Sequence, residues 1–258
     1  MTESIPNDPA LADAATPPMR EFAASTRRAI EGGIAAILIG ACALLGLVPL
    51  AIALAVVVVF LIPGWPELFG ATNLKIPGWI LAIVAVASLA AGVWGSPMWT
   101  AMVGGFSIAL VFFGEMARGD DRSHLVEQIS GTFMGVLTIV SASFWLHTVR
   151  LEDGWRVVVV TMASLLVCLI INTFGTSISQ HLAALNAVIV GVGVALVVGL
   201  PMPAGLALGV AVGTMLVILR RGVYTSDAIN EPFPGVAAGM LPHSALGALG
   251  YLAGLAVL

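Results

Sequence analysis

The feature that most constrains this chain is a series of uninterrupted apolar segments, each long enough to form a helix that crosses a lipid bilayer. Such a helix needs about 20 predominantly apolar residues. The segments cover residues 32–62, 76–95, 98–115, 129–148, 155–173, 183–200, 204–219 and 236–258. Charged residues make up only 9% of the chain and hydrophobic residues 59%, with a mean hydropathy of +1.06. Because soluble domains carry about 25% charged residues, the composition excludes a soluble globular protein.

The apolar segments show no alternation of apolar and polar residues, which excludes membrane-spanning β-strands. Helices then remain as the structure that satisfies every backbone polar group inside lipid. We therefore predict an all-α polytopic membrane protein.

The number of transmembrane helices depends on the first apolar segment, residues 32–62. As a single helix its 31 residues would measure roughly 46 Å, against about 30 Å for the hydrocarbon core. The sequence Gly-Leu-Val-Pro at Gly46–Pro49 offers a turn that divides the segment into a two-helix hairpin.

Basic residues favour the hairpin, because they concentrate on the cytoplasmic side of membrane proteins. With a hairpin and a cytoplasmic N-terminus, eight basic residues lie inside and two outside. Those inside are Arg20, Arg27, Arg28, Lys75, Arg118, Arg122, Arg220 and Arg221, and those outside are Arg150 and Arg156. A single helix would give five on each side. We therefore predict about nine transmembrane helices in the cell (inner) membrane, with the N-terminus in the cytoplasm and the C-terminus outside.

The chain divides into a Pro-containing, disordered cytoplasmic tail at residues 1–25 and a single multi-pass transmembrane domain at residues 26–258. The net charge of −4 is small and dispersed, which makes nucleic acid an unsuitable partner. Cys42 and Cys168 both fall within apolar segments and are predicted to be separate core residues.

The six tryptophans all fall near predicted helix ends, and this predicts a belt of aromatic side chains at the membrane interfaces. They are Trp65, Trp79, Trp94, Trp99, Trp145 and Trp155. Glycines at 191–193 and 205–213 allow close packing of the helices that carry them and indicate nothing more specific.

Polar residues interrupt the apolar pattern in three places. The loop Glu115–Gln128 has the densest charge, and Asp120, Asp121 and His124 within it allow either a solvated loop or a site for a hard cation. A neutral polar patch follows at the end of the sixth span, and its candidate binding residues are Asn172, Thr173, Thr176, Ser177, Gln180 and His181. The third place is Arg220–Leu241, where two arginines, an aspartate, a glutamate and a Pro-Gly pair occur together.

The last two segments resemble motifs of the phosphatidate cytidylyltransferase (CDP-diacylglycerol synthase) family. Arg220 and Arg221 correspond to the Lys-Arg of its signature, Ser226 and Asp227 to Lys-Asp, and Pro234 and Gly235 to Pro-Gly. The signature histidine falls at Val236, its glycines at Ala237 and Ala238, and the Asp-Arg and Asp that follow are missing. A second motif, Ser-Asp-Thr, resembles Ile171, Asn172 and Thr173, with Asn172 in place of a metal-binding aspartate.

The resemblance implies a relative of an enzyme that joins CTP and phosphatidate with the help of a divalent metal. The metal neutralises the triphosphate and the charge that develops during transfer. Because Asn172 and Val236 replace an aspartate and a histidine, we predict that this chemistry has lapsed, with no catalytic or metal-binding residue remaining and no cofactor. Mg²⁺ would be required only if activity has been retained.

Three hypotheses for the function follow. The first is a lipid-associated or partner-binding protein that contacts an anionic phospholipid headgroup through Arg220, Arg221 and Asp227, or a membrane-protein partner. The second is a permease for a small or amphipathic solute that uses the patch at Asn172–His181, with prolines such as Pro242 supporting broken helices. The third is an active phospholipid-synthesis cytidylyltransferase-like enzyme with altered chemistry.

Overall fold

The structure is a computed structural model that describes residues 17–71, 73–117, 124–173, 177–224 and 226–258, without the side chains of residues 17–25 and 177–180. This part of the chain forms helices and no strand. The helices are α1 Pro17–Leu45, α2 Leu47–Leu68, α3 Lys75–Trp94, α4 Pro97–Met116, α5 Leu125–Val149, α6 Trp155–Asn172, α7 Ser177–Val198, α8 Met202–Gly222, α9 Pro232–Ala245 and α10 Gly247–Val257. A 3-10 turn, Asp227–Asn230, connects α8 and α9.

Within the described ranges, nine helical segments are long and apolar enough to cross a membrane, with α9 and α10 together forming the ninth. The prediction of an all-helical chain with nine membrane-length helices is confirmed. The first helix begins at Pro17, inside the segment predicted to be a tail. Residues 1–16 of that segment lie outside the described part of the chain.

The first apolar segment forms the predicted hairpin. Gly46 separates α1 from α2 and has a φ angle of 107°. This is the left-handed region, which glycine enters readily because it has no Cβ atom. The turn therefore falls within the predicted Gly46–Pro49 sequence.

Successive helices run antiparallel, and contacts between their ends define two ends of the bundle. The end that holds Arg27, Lys75, Asn172 and Arg221 is called the N-terminal end. The end that holds Gly46, Gly95, Arg150 and Gly199 is called the opposite end. At the N-terminal end Gln128 Nε2 donates to the carbonyl oxygen of Asn73 at 3.3 Å. At the opposite end the guanidinium of Arg150 donates to the carbonyl oxygens of Gly95, at 2.7 Å, and Val93.

The predicted tryptophan belt is correct for some members and wrong for two. Trp79, Trp94 and Trp99 are 60–83% exposed, as the belt requires. Trp65 and Trp145 are fully buried, and their indole N–H groups donate to the carbonyl oxygens of Gly131 at 2.9 Å and His243 at 2.8 Å. An indole N–H that finds an acceptor inside the protein keeps its hydrogen bond, so moving the ring from the membrane–water interface to a site between helices costs little free energy.

The two cysteines are free thiols, as predicted. Cys168 is fully buried, and its thiol donates to the carbonyl oxygen of Ala183 at 2.9 Å. This contact ties α6 to α7 near the N-terminal end.

The ninth apolar segment is interrupted at Leu246, between α9 and α10. Pro242, four residues earlier, lacks the N–H that would bond to the carbonyl oxygen of Ala238, which accepts from the Tyr224 hydroxyl instead. At the interruption itself the hydroxyl of Ser141 in α5 donates to the carbonyl oxygen of Ala245 at 2.9 Å and accepts from the N–H of Ala248 at 3.0 Å. The fifth helix thus satisfies backbone groups on both sides of the interruption.

Candidate functional site

A shallow cleft opens at the N-terminal end between α6, α7 and α8; its empty space of about 190 Å³ includes open solvent, and its enclosed part is about the size of one water molecule. Its lining consists mainly of small and aliphatic residues, with two polar side chains. The residues are Asn172, Ala183, Ala184, Gly213, Leu216, Val217 and Arg220.

Small residues bring α7 and α8 close together below the cleft. A Cβ atom added to Gly209 would lie 2.5 Å from the Cα of Val188, and one added to Gly213 would lie 3.0 Å from the Cα of Ala184. A side chain at Gly209 would overlap the facing backbone, and one at Gly213 would push Ala184 aside by a few tenths of an ångström. Gly209 and Gly213 thus make the close approach that the glycine-rich sequence allows, whereas Gly193 faces open space.

The cleft brings together one residue from each of the two segments that carry the resemblance. Arg220 Nη1 donates to Asn172 Oδ1 at 3.3 Å, and both side chains are half-buried. Asn172 is the last residue of α6, and Arg220 lies in the last turn of α8. The two residues are 48 positions apart in the sequence, and the antiparallel packing of α6 to α8 makes them neighbours.

The remaining polar-patch residues do not share the lining of this cleft where their side chains are described. Thr173 Oγ1 donates to the carbonyl oxygen of Ile170 in its own helix, at 2.7 Å. His181 is exposed on α7. Ser177 and Gln180 lie in the first turn of α7 without described side chains, and Thr176 lies outside the described residues.

Arg221 and Asp227, the other two candidates for headgroup binding, lie apart from the cleft. Arg221 is exposed and does not line it. Asp227 is exposed at the start of the 3-10 turn, which packs against α1, α2 and α9. Among the described side chains no ion pair joins Asp227 to either arginine.

A second polar cluster at the N-terminal end includes Arg27 and Arg28, which the sequence identified only as basic residues of the cytoplasmic side. Arg27 Nε binds Glu31 Oε1 at 2.7 Å, and Arg27 Nη2 donates to the carbonyl oxygen of Pro232 at 2.9 Å. The guanidinium carbon of Arg28 lies 5.4 Å from the centre of the Tyr224 ring. The Arg27–Glu31 pair was visible in the sequence as a four-residue spacing of opposite charges, whereas nothing pointed to Tyr224.

Tyr224 holds the loop after α8 against the first and ninth helical segments. Its hydroxyl donates to the carbonyl oxygen of Ala238 at 3.1 Å. Burial raises the pKa of Tyr224 to about 12, while the charge of Arg28 acts in the opposite direction. The phenol therefore stays protonated at neutral pH and keeps its donor hydrogen.

The residues of the cleft do not suit a divalent cation. Across the described ranges no group of three or more His, Cys, Asp or Glu residues is placed to hold a metal. Asn172 contributes a neutral amide, and the permanent positive charge of Arg220 is bonded to it. A second cation beside that guanidinium would be repelled. Asp120 and Asp121 of the alternative cation site lie outside the described residues.

Comparison with protein families, with curated proteins and with solved structures finds no match to this chain.

Proposed function

We infer that the chain is a multi-pass protein of the cell (inner) membrane that binds the phosphate of an anionic phospholipid at the Arg220 cleft. On this proposal it is a relative of the cytidylyltransferases that no longer transfers a nucleotide. The observation that carries the proposal is the hydrogen bond from Arg220 to Asn172 across a cleft at the end of three membrane-length helices.

The chemistry of the cleft supports a phosphate ligand. Arginine can bind phosphate through two parallel N–H donors without a metal, whereas lysine acts as a point charge. The small and aliphatic lining, including Ala183, Ala184 and Gly213, gives an apolar surface beside Arg220 against which the carbons of a lipid bound at the mouth of the cleft would lie. Basic pockets between helices at the cytoplasmic face commonly bind anionic headgroups.

The same bond argues against nucleotidyl transfer. At the position where the resemblance implies a metal-binding aspartate, Asn172 is bonded to a guanidinium. Val236, at the position of the signature histidine, is an aliphatic residue of α9 that contributes no polar group. Without a metal the charge of a triphosphate lacks its principal stabilising partner.

The proposal includes a topology with the N-terminal end of the bundle in the cytoplasm. We expect a cysteine at position 221 to react with a membrane-impermeant thiol reagent only after the membrane is opened, and one at position 152 to react in intact cells. Arg221 and Glu152 are both exposed and lie at opposite ends of the bundle. Labelling of both from the same side would contradict the nine-helix topology.

Two further details sharpen this experiment. The native Cys42 and Cys168 are replaced by alanine so that only the introduced thiol reacts. Glu152 is preferred to Arg156 because the Arg156 side chain forms an ion pair with Asp153 at 3.0 Å. Arg122→Cys adds a third position, predicted to be cytoplasmic.

Lipid binding is tested by measuring the anionic phospholipid that co-purifies with the protein in mild detergent. We expect Arg220→Lys to reduce the lipid retained per protein about fivefold, because loss of a bidentate contact corresponds to about 1 kcal/mol or more. Arg221→Lys is the matched control, since Arg221 is the neighbouring arginine and does not line the cleft. Equal retention by both variants and the unchanged protein would contradict binding at the cleft.

An activity measurement completes the test of the proposal. We expect no CDP-diacylglycerol from CTP and phosphatidate in the presence of Mg²⁺. Metal-dependent product formation that Asp227→Asn abolishes would instead support the hypothesis of a cytidylyltransferase-like enzyme.

The interrupted ninth segment favours a permease as a second candidate function. His243 is fully buried beside the interruption, and its ring lies among backbone groups of Gly32, Gly239 and Met240. Ionisable residues inside membranes commonly mark transport pathways, and broken helices commonly form their binding sites. Proteoliposomes loaded with a pH-sensitive dye test this candidate: a permease coupled to protons would acidify them faster than protein-free vesicles, and His243→Leu would remove the difference.

A further inference from the structure

The cluster at the start of α1 contains a guanidinium, that of Arg28, with a buried nitrogen that no group of the described residues accepts from. Glu31 binds Arg27 at 2.7 Å, and its single negative charge also acts on Arg28, so one carboxylate serves two arginines. Arg28 takes part in no ion pair among the described residues, and its Nη1 is buried without a hydrogen-bond partner. A buried donor of this kind needs an acceptor, since leaving it unsatisfied is costly.

Tyr224 fixes the position of this guanidinium. Its ring lies 5.4 Å from the guanidinium carbon of Arg28, within the range of a cation–π contact. Its hydroxyl is bonded to Ala238, so the ring cannot move away without losing that bond. Arg28 is therefore held at the seam between α1 and α9.

Tyr224 also brings Arg28 close to the Arg220 cleft. The N–H groups of Val223 and Tyr224 both donate to the carbonyl oxygen of Leu219, which ends α8 at Gly222 and places Tyr224 just beyond the last helical turn. Arg220 lies in that last turn. Tyr224 thus connects the end of α8 to Arg28 across the seam.

The packing of α1 against α6 agrees with this arrangement. A Cβ atom added to Gly32 would lie 2.9 Å from Leu169 Cδ1, one turn before the end of α6. The C-terminal end of α6, where Asn172 is bonded to Arg220, therefore lies level with the turn of α1 that holds Arg28.

We propose that Arg28 and Arg220 bind the two phosphate groups of a single ligand, a lipid in which two phosphates are joined by a short bridge. This inference rests on the proposed function, because Arg220 is the phosphate-binding residue in both. Two guanidiniums at the same end of the bundle, on the meeting ends of α1, α6 and α8, match two phosphates, and a headgroup with one phosphate would leave the buried nitrogen of Arg28 without an acceptor. A soluble diphosphate has the same phosphate chemistry and is the alternative source of the ligand.

The experiment compares retention of two lipids by the full-length protein in detergent: cardiolipin, with two phosphates, and phosphatidylglycerol, with one. Native mass spectrometry counts the bound lipid after the protein is mixed with equal amounts of both. We expect cardiolipin to be retained about tenfold more, the ratio that corresponds to about 1.4 kcal/mol. Arg28→Gln should bring the ratio close to one, and Arg28→Lys should leave an intermediate ratio.

Controls separate this inference from its alternatives. Arg221→Gln removes a positive charge at the same end of the bundle and should leave the ratio unchanged. Protection of the buried Cys168 from a thiol reagent reports that each variant remains folded. Displacement of the lipid by inorganic pyrophosphate at micromolar concentration would identify a soluble diphosphate as the ligand and overturn the lipid assignment.

The outcomes also distinguish this inference from the proposed function. Equal retention of the two lipids by the unchanged protein, with Arg220→Lys still lowering both, would overturn the two-phosphate site and leave the single-phosphate site standing. Retention of neither lipid would remove the proposed function itself.

Discussion

Replacing Gly64 with alanine is expected to lower the free energy of unfolding by about 3 kcal/mol or more. Gly64 lies in α2 against the first turn of α9, where an added Cβ would overlap the carbonyl group of Phe233 and lie 2.7 Å from the backbone nitrogen of Pro234. Overpacking costs about 1–3 kcal/mol when side chains can move aside. Here both sides of the contact are backbone, so the helices themselves must separate.

Unfolding is measured by the rate at which a fluorogenic thiol reagent labels the buried Cys168 as the purified protein is heated. The matched control is Gly105→Ala in α4, where an added Cβ meets no atom within 4 Å. Alanine is a better helix former than glycine by about 1 kcal/mol, so this control should be as stable as the unchanged protein or more stable. Equal midpoints for the two variants would show that α2 and α9 do not approach as closely as described.

A change at Gly64 also bears on the proposed ligand site. Phe233 and Pro234 follow Pro232, whose carbonyl oxygen accepts from Arg27 at 2.9 Å. Separation of α2 from α9 should therefore disturb the seam that carries Arg28. Lipid measurements on this variant would report structure and binding together, whereas the arginine variants change the binding groups and leave Gly64 in place.

The helices and the hairpin were predictable because they depend on quantities that the sequence contains. Comparing the length of each apolar segment with the thickness of the membrane identifies the candidate transmembrane helices. The distribution of basic residues then favours two helices over one at residues 32–62. Gly46 then takes a conformation that favours glycine. None of these steps requires knowledge of which helices touch.

Which face of each helix packs against protein and which faces lipid was not predictable, because that depends on which helices touch. In a helix that is apolar on all sides, lipid-facing and protein-facing residues look alike, so the periodicity that identifies a buried face in soluble proteins is lost. His147, near the end of the apolar segment 129–148, is buried with its Nε2 at 2.8 Å from Thr100 Oγ1, and nothing in the pattern around it distinguishes this face. Trp65 and Trp145 were misassigned for the same reason.

The candidate site was predicted in parts. Asn172 and Arg220 were each identified, although in two different sites, because sequence distance does not show that the ends of α6 and α8 meet. Asp227 was grouped with the arginines because it follows them closely in the sequence. The 3-10 turn carries it instead toward α1, α2 and α9.

The second large effect is expected at Trp145, whose replacement by alanine should destabilise the protein by about 3–5 kcal/mol. The ring is fully buried, and its Cη2 atom lies 2.5 Å from where a Cβ on Gly250 would be. Removing it leaves a cavity beside α10 and an unsatisfied carbonyl at His243, since the indole N–H donates there at 2.8 Å. That carbonyl belongs to the interrupted segment, where Pro242 and the break at Leu246 already disturb the helical ladder.

Trp94→Ala is the matched control, because the Trp94 side chain is 83% exposed and its loss should change the stability of the detergent-solubilised protein little. Trp145→Phe separates the two contributions: it keeps most of the ring and removes the N–H, so it should cost about 1–3 kcal/mol, the range for an unsatisfied buried group. The order of stability expected from thiol labelling of Cys168 is Trp94→Ala, then Trp145→Phe, then Trp145→Ala. If the two alanine variants unfolded at the same temperature, Trp145 would belong to the lipid-facing belt after all, and α5 would not support the interruption between α9 and α10.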